Sequence, residues 1–181
     1  MFSSTAYFVY YSQTGRVSSR PVSVNNSDVY LLRGPRFSFE DLNLDGRLDI
    51  YICNTFYRDS LSRRNLLYIN QGNTANGVPT FSEQAVAYGL DDDTYSSHAQ
   101  FFDYDNDGDL DVFIGVNRIE GINPAEFRPN QDDGSSLSRD RLYENRWDEA
   151  LGHPRFTNVS DSAGIRYHGY SHSTLIHDFN K

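Results

Sequence analysis

Five aspartates fall within nine residues in Asp103-Tyr-Asp-Asn-Asp-Gly-Asp-Leu-Asp111. The same spacing occurs 62 residues earlier, in Asp41-Leu-Asn-Leu-Asp-Gly-Arg-Leu-Asp49. Side-chain oxygens stand at loop positions 1, 3, 5 and 9: Asp41, Asn43, Asp45 and Asp49 in the first loop, Asp103, Asp105, Asp107 and Asp111 in the second. Position 6 is glycine in both, Gly46 and Gly108. A hard cation such as Ca2+ takes about six to eight oxygens at about 2.3–2.6 Å, and alternate residues of a tight loop can aim theirs inward. Glycine permits the sharp turn that a Cβ would obstruct. Position 7 offers a backbone carbonyl, so its side chain is free to vary: Arg47 in one loop, Asp109 in the other. An arginine there requires a side chain directed away from the metal. Without a cation, carboxylates so close would repel. Calcium is the expected cofactor, and these nine-residue patterns are its expected sites.

The flanks decide what the loops join. An EF-hand needs a bidentate Glu at position 12 and helices on both sides, yet position 12 is Ile52 in one loop and Ile114 in the other. The loops are preceded by Phe37-Ser-Phe-Glu40 and Ala99-Gln-Phe-Phe102, and followed by Ile50-Tyr-Ile-Cys53 and Val112-Phe-Ile-Gly115. Short runs of β-branched and aromatic residues are strand signals. Each loop therefore reads as a β-hairpin clamped by metal. A third loop opens at Asp178-Phe-Asn180-Lys181 with two ligands of the set, Asp178 and Asn180. The expectation is a piece of a longer array.

The repeat extends beyond the loops. Adding 75 carries Leu67-Tyr68 onto Leu142-Tyr143, Asn70 onto Asn145, Phe81 onto Phe156, Gly89 onto Gly164 and Asp103 onto Asp178. From the first loop to the second the step is 62, and the extra 13 residues lie between Asn117 and Arg141, in a polar stretch. Four short strands in each unit suit a blade of a β-propeller. Blades bury their faces against neighbours, which accounts for the many Phe and Tyr residues. An all-β sandwich is the alternative. The chain divides into N-terminal strands over 1–36, the tail of a preceding blade, a first unit over 37–98, a second over 99–173 with insertion 118–140, and the start of a third over 174–181. Within the first part, Tyr7–Tyr11 and Val22–Val24 suit a hairpin turning at Gly15.

The run from Phe101 to Ile114 resembles the FG-GAP/VCBS repeat family, which includes the integrin α-subunit propeller and bacterial proteins carrying an ASPIC/UnbV module. Arg64-Asn-Leu-Leu-Tyr-Ile-Asn70 and Asp140-Arg-Leu-Tyr-Glu-Asn145 are similar to that family's N-x-L-Y-x-N strand, and Phe81-Ser and Phe156-Thr to the F-x-D-V that follows. The resemblance covers about residues 37–181. It implies a seven- or eight-bladed propeller with structural Ca2+ in its outer hairpins. Departures are the insertion, His177 where the second unit has Phe102, and a poorly aligning N-terminal part. No ASPIC/UnbV module lies in these residues.

The formal net charge is −9. Lys181 is the only lysine, and no basic stripe suits a nucleic acid. No apolar run approaches the length of a membrane helix. Met1–Tyr10 has neither the early basic residue nor the long apolar core of a secretory leader. The single cysteine, Cys53, sits in an apolar strand and reads as a small core hydrophobe. His168, His172 and His177 lack the helical His-Glu context of a zinc site and read as loop residues, while His98 reads as a packing or hydrogen-bonding group beside the second hairpin. No nucleophile elbow or phosphate loop appears. Asp91-Asp-Asp93 and Asp132-Asp133 read as solvated turns.

These features point to a non-catalytic, calcium-binding repeat module that mediates adhesion or binding to a protein or glycan, with 118–140 as the contact segment. High free calcium suits such loops outside the cytosol, so the expected location is extracellular, periplasmic or cell-surface. The alternative is a blade fragment of a carbohydrate-active extracellular enzyme. A dockerin-like module, whose similar loops lead into helices, is a weaker third reading.

Overall fold

The structure, a computed structural model, describes residues 5–11, 17–24, 37–55, 59–118, 131–167, 169, 171 and 173–176. It is an all-β partial propeller. The first blade comprises β3 (Phe37–Glu40), β4 (Asp49–Ile52), β5 (Leu66–Asn73) and β6 (Pro79–Glu83). The second comprises β7 (Ser96–Phe102), β8 (Asp111–Val116), β9 (Arg141–Asp148) and β10 (His153–Asn158). Both are antiparallel meanders, each strand pairing with the next. A hairpin of β1 (Thr5–Tyr11) and β2 (Val17–Val24) extends the first sheet, because β2 pairs with β6 in parallel. The sheet orders are β1-β2-β6-β5-β4-β3 and β10-β9-β8-β7. The expected N-terminal hairpin is thus present, while Gly15 lies outside the described residues.

The repeat inferred from sequence is a repeat of register. Ile50 faces Tyr68 and Tyr51 faces Leu67 across β4 and β5. Val112 faces Tyr143 and Phe113 faces Leu142 across β8 and β9. The expected strand at Ala99–Phe102 starts three residues earlier, at Ser96. Two one-turn helices, α1 (Ser60–Arg63) and α2 (Ala85–Tyr88), fill connections that read as loop from sequence. Asp59 caps the first by accepting from the Ser62 N–H at 2.9 Å.

Alternation places one face of each blade in a shared core. Tyr51, Leu67 and Ile69 of the first blade meet Phe101, Val112, Ile114, Val116, Tyr143 and Phe156 of the second. Tyr51 and Phe101 pack edge to face, with ring centroids 5.8 Å apart. Each such fully buried apolar side chain stabilises the fold by about 1.5–3 kcal/mol. Cys53 is buried in this core, as expected. Gly89 caps α2 with φ 73°, and a Cβ there would lie 2.5 Å from the Phe156 carbonyl oxygen. Only glycine meets both demands. The opposite face of the first blade carries Ile50, Tyr68 and Phe81, a smaller cluster.

Polar groups cross the joint as well. The Asn65 Oδ1 accepts from the Asn54 N–H at 2.8 Å, and its Nδ2 donates to the Ser96 hydroxyl at 2.9 Å. The same arrangement recurs one unit later. The Asp140 carboxylate accepts from the Val116 N–H at 2.8 Å and from the Ser171 hydroxyl at 2.8 Å. Asn65 also donates to the Tyr51 hydroxyl at 2.8 Å, which in turn donates to the Leu90 carbonyl at 3.1 Å.

Asp91-Asp-Asp93 is not a solvated turn throughout. Asp92 is buried and accepts from the Tyr143 hydroxyl at 2.6 Å, and from Thr94 through both its N–H and its hydroxyl. Burying a charge requires such donors, and a run of aspartates gives no sign that a tyrosine 51 residues onward supplies one. Asp91 forms an ion pair with Arg64 at 3.2 Å. Asp133, by contrast, is exposed and caps its own turn at Ser135.

Candidate metal centre

Both aspartate loops join paired antiparallel strands, β3 to β4 and β7 to β8. Their backbones turn alike. Position 6 is left-handed, with φ 81° at Gly46 and 95° at Gly108. Position 4 is left-handed too, with φ 58° at Leu44 and 63° at Asn106. Sequence reasoning anticipated only the glycine. Asn adopts this conformation readily, whereas for a residue such as leucine it costs about 1–2 kcal/mol.

Position 1 organises the turn. Asp41 accepts from the Asp45 N–H at 3.0 Å and the Gly46 N–H at 2.8 Å. Asp103 accepts from the Asp107 N–H at 3.2 Å and the Gly108 N–H at 3.3 Å. Position 9 ties the loop to the third strand of its blade. Asp49 accepts from the N–H groups of Leu42 (3.1 Å) and Asn70 (2.9 Å). Asp111 accepts from those of Tyr104 (2.6 Å) and Asn145 (2.8 Å). Each asparagine amide also donates back, Asn70 to the Leu48 carbonyl and Asn145 to the Leu110 carbonyl, both at 3.2 Å. The sequence marked these asparagines as repeat landmarks without a role. Their shared position after Leu-Tyr-x was the available signal.

In the second loop, Asp103, Asp105 and Asp111 each place a carboxylate oxygen within 4.8 Å of the others. The donors are all oxygens, which suits a hard cation. Asp109 adds a feature that the sequence did not show. Its Oδ1 is buried and has no hydrogen-bond partner among the described residues, at a position where only the backbone carbonyl was expected to matter. Burial first, then the Asp107 and Asp111 carboxylates, push its carboxyl up to about 7. Burial likewise raises Asp111, and it raises Asp49 to about 6 against the pull of the Asn70 and Leu42 N–H groups. A bound divalent ion would favour the charged form of each. The residues therefore fit the group: Asp103, Asp105 and Asp111, with Asp107 and Asp109 alongside, would hold it.

The first loop has the same frame and a different charge. Arg47 does not point away. Its Nη2 lies 2.6 Å from Asp45 Oδ2, and its Nε donates to the Asn70 carbonyl at 3.2 Å. Asn43 donates to the same Asp45 oxygen at 3.2 Å.

Asp178, Asn180, His168, His172 and His177 lie outside the described residues, as does 119–130 of the insertion. His98 has the hydrogen-bonding role expected of it. Its Nε2 and the Thr174 hydroxyl are 2.7 Å apart, and its Nδ1 and the Ser97 hydroxyl 3.0 Å. Its ring lies where a Gly115 side chain would go, since a Cβ there would fall 2.1 Å from the ring.

Among the described residues no helix is long and apolar enough to cross a membrane. Comparison with curated proteins and with solved structures gave no match. Comparison with protein families did: residues 41–114 match the model of the FG-GAP-like repeat. That span runs from the first aspartate of one loop, through the other, into β8, and it identifies this part of the chain as an FG-GAP-like repeat.

Proposed function

We propose that the chain is a calcium-stapled propeller module that binds a protein or glycan partner in an extracellular, periplasmic or cell-surface setting and has no catalytic role of its own. One observation carries the calcium reading: three carboxylates converge at the tip of a hairpin whose backbone is already closed around them. The ion is structural, neutralising crowded charge and fixing the turn between two strands. Binding to the folded state alone adds about 2.7 kcal/mol per site at a hundredfold excess over Kd. Thermal unfolding in calcium and in chelator tests it. A melting temperature raised by calcium in the wild type, and raised less in Asp103→Ala, is expected; indifference to calcium rejects the reading.

Further blades are its nearest partners. Ile50, Tyr68 and Phe81 are the repeat equivalents of Val112, Tyr143 and Phe156, which the second blade buries against the first. The matching chemistry supports a preceding unit on that face. For the outside partner, the polar 118–140 insertion is the contact segment, because variable loops on a rigid scaffold are where binding residues concentrate. Deleting residues 119–130 of it in the parent protein is expected to weaken binding and leave the melting temperature within a few degrees, because Ser136, Ser138, Arg139 and Asp140 at its far end, which are buried or bonded within the second blade, stay in place.

A further inference from the structure

We infer that Arg47 is a built-in cation that ranks the two loops, so that calcium fills the second loop first and the first loop about tenfold more weakly or worse. The inference rests on the calcium reading above and concerns how the two sites differ.

The loops form a controlled comparison. Their left-handed positions coincide, and so do the hydrogen bonds accepted at positions 1 and 9. Charge is what changes. The first loop contains three aspartates and Arg47, a formal −2; the second contains five aspartates, a formal −5. Affinity in such loops follows ligand charge count and rigidity.

Arg47 also occupies a ligand. Asp45 Oδ2 takes the guanidinium at 2.6 Å and the Asn43 amide at 3.2 Å, while Asp45 Oδ1 takes the Arg47 N–H at 2.9 Å. Both oxygens of the position-5 carboxylate are therefore engaged. The guanidinium is held from a second side by the Asn70 carbonyl, on the same strand that the position-9 aspartate grips. A metal ion entering the first loop has to displace this bridge. In the second loop position 7 is Asp109, which adds negative charge and has an oxygen without a partner among the described residues. There Arg146, close enough to feel the Asp105 and Asp107 charges, is bound to Glu144 instead.

Calcium chloride titrated calorimetrically into the chelator-stripped chain tests this. Two steps are expected, separated by about tenfold or more in Kd. Asp105→Ala should abolish the tighter step and Asp45→Ala the weaker one. Arg47→Ala and Arg47→Gln should each tighten the weaker step by about threefold to tenfold and leave the tighter step alone; Arg47→Lys, which keeps the charge, should not. Circular dichroism on each variant checks that the sheets remain. Two indistinguishable wild-type steps, or a weaker step unmoved by Arg47→Ala, overturn the ranking while calcium binding stands. No heat at any concentration overturns the calcium reading, and the ranking with it.

Discussion

Asp111 Oδ1 accepts the Asn145 backbone N–H at 2.8 Å, across 34 residues of chain. Its other oxygen holds the Tyr104 N–H at 2.6 Å. A residue expected only to bind metal is therefore a protein-to-protein staple as well. Asp111→Ala leaves two enclosed N–H groups without acceptors and should destabilise by about 2–4 kcal/mol even in chelator. Asp111→Asn keeps one acceptor and should lose less. Urea unfolding of both variants in chelator checks this; a loss near zero for the alanine would show the staple to be idle.

Burial holds the Asp49 carboxyl at about 6 and the Asp109 carboxyl at about 7. In the unfolded chain both return to about 3.9. The folded state thus binds the proton more tightly, so without a cation stability is highest below about pH 4 to 5 as far as these groups decide, and declines as pH rises to about 7. Calcium favours the ionised forms and opposes that decline. Melting temperatures at pH 4.5 and 7.5, each with calcium and with chelator, should show the calcium increment growing with pH. An increment that shrinks would contradict the assignment.

Asp109→Asn keeps the shape and removes the crowded charge. The chelator-treated variant should gain about 1 kcal/mol, since the amide no longer repels the Asp107 and Asp111 carboxylates and can donate to one of them. Calcium should bind it more weakly than the wild type. Denaturation in chelator beside a calcium titration separates the two effects.

Gly115 and His98 should behave as a coupled pair. Gly115→Ala places a methyl group within the His98 ring and should cost about 1–3 kcal/mol. In the His98→Ala background the same change should cost far less. A double-mutant cycle measures the coupling, and additive effects would mean that the ring has room to move.

Tyr143→Phe removes the hydroxyl that meets buried Asp92 at 2.6 Å. The expected loss is about 1–3 kcal/mol. Thermal unfolding of the variant beside the wild type reads this directly, and a loss near zero would show that Asp92 does not depend on the hydroxyl.

Spacing along the chain disclosed the hairpin loops, the strands beside them and the register of the repeat. Each of those rests on neighbours within a few residues, as with Gly46 or the Ile50-Tyr-Ile run. What escaped depends on distant partners. Asp92 looked like a solvated aspartate because Tyr143, which justifies its burial, is far along the chain. Asp49 and Asp111 looked like simple ligands because the N–H groups they hold belong to another strand. Arg47 turned back because Asn70 supplies a carbonyl beside the loop. The left-handed Leu44 had no local signal at all, since leucine is a poor choice for that conformation.

The grip of Asn65 on Ser96, echoed by Asp140 on Ser171, has a practical corollary. The first joint is a lock carried by one blade, Asn65, and a key carried by its successor, Ser96. A chimera spliced between Asn65 and Ser96 would inherit a mismatched pair unless both residues travelled together, and so the natural seam for shuffling these modules runs through the loops at their tips.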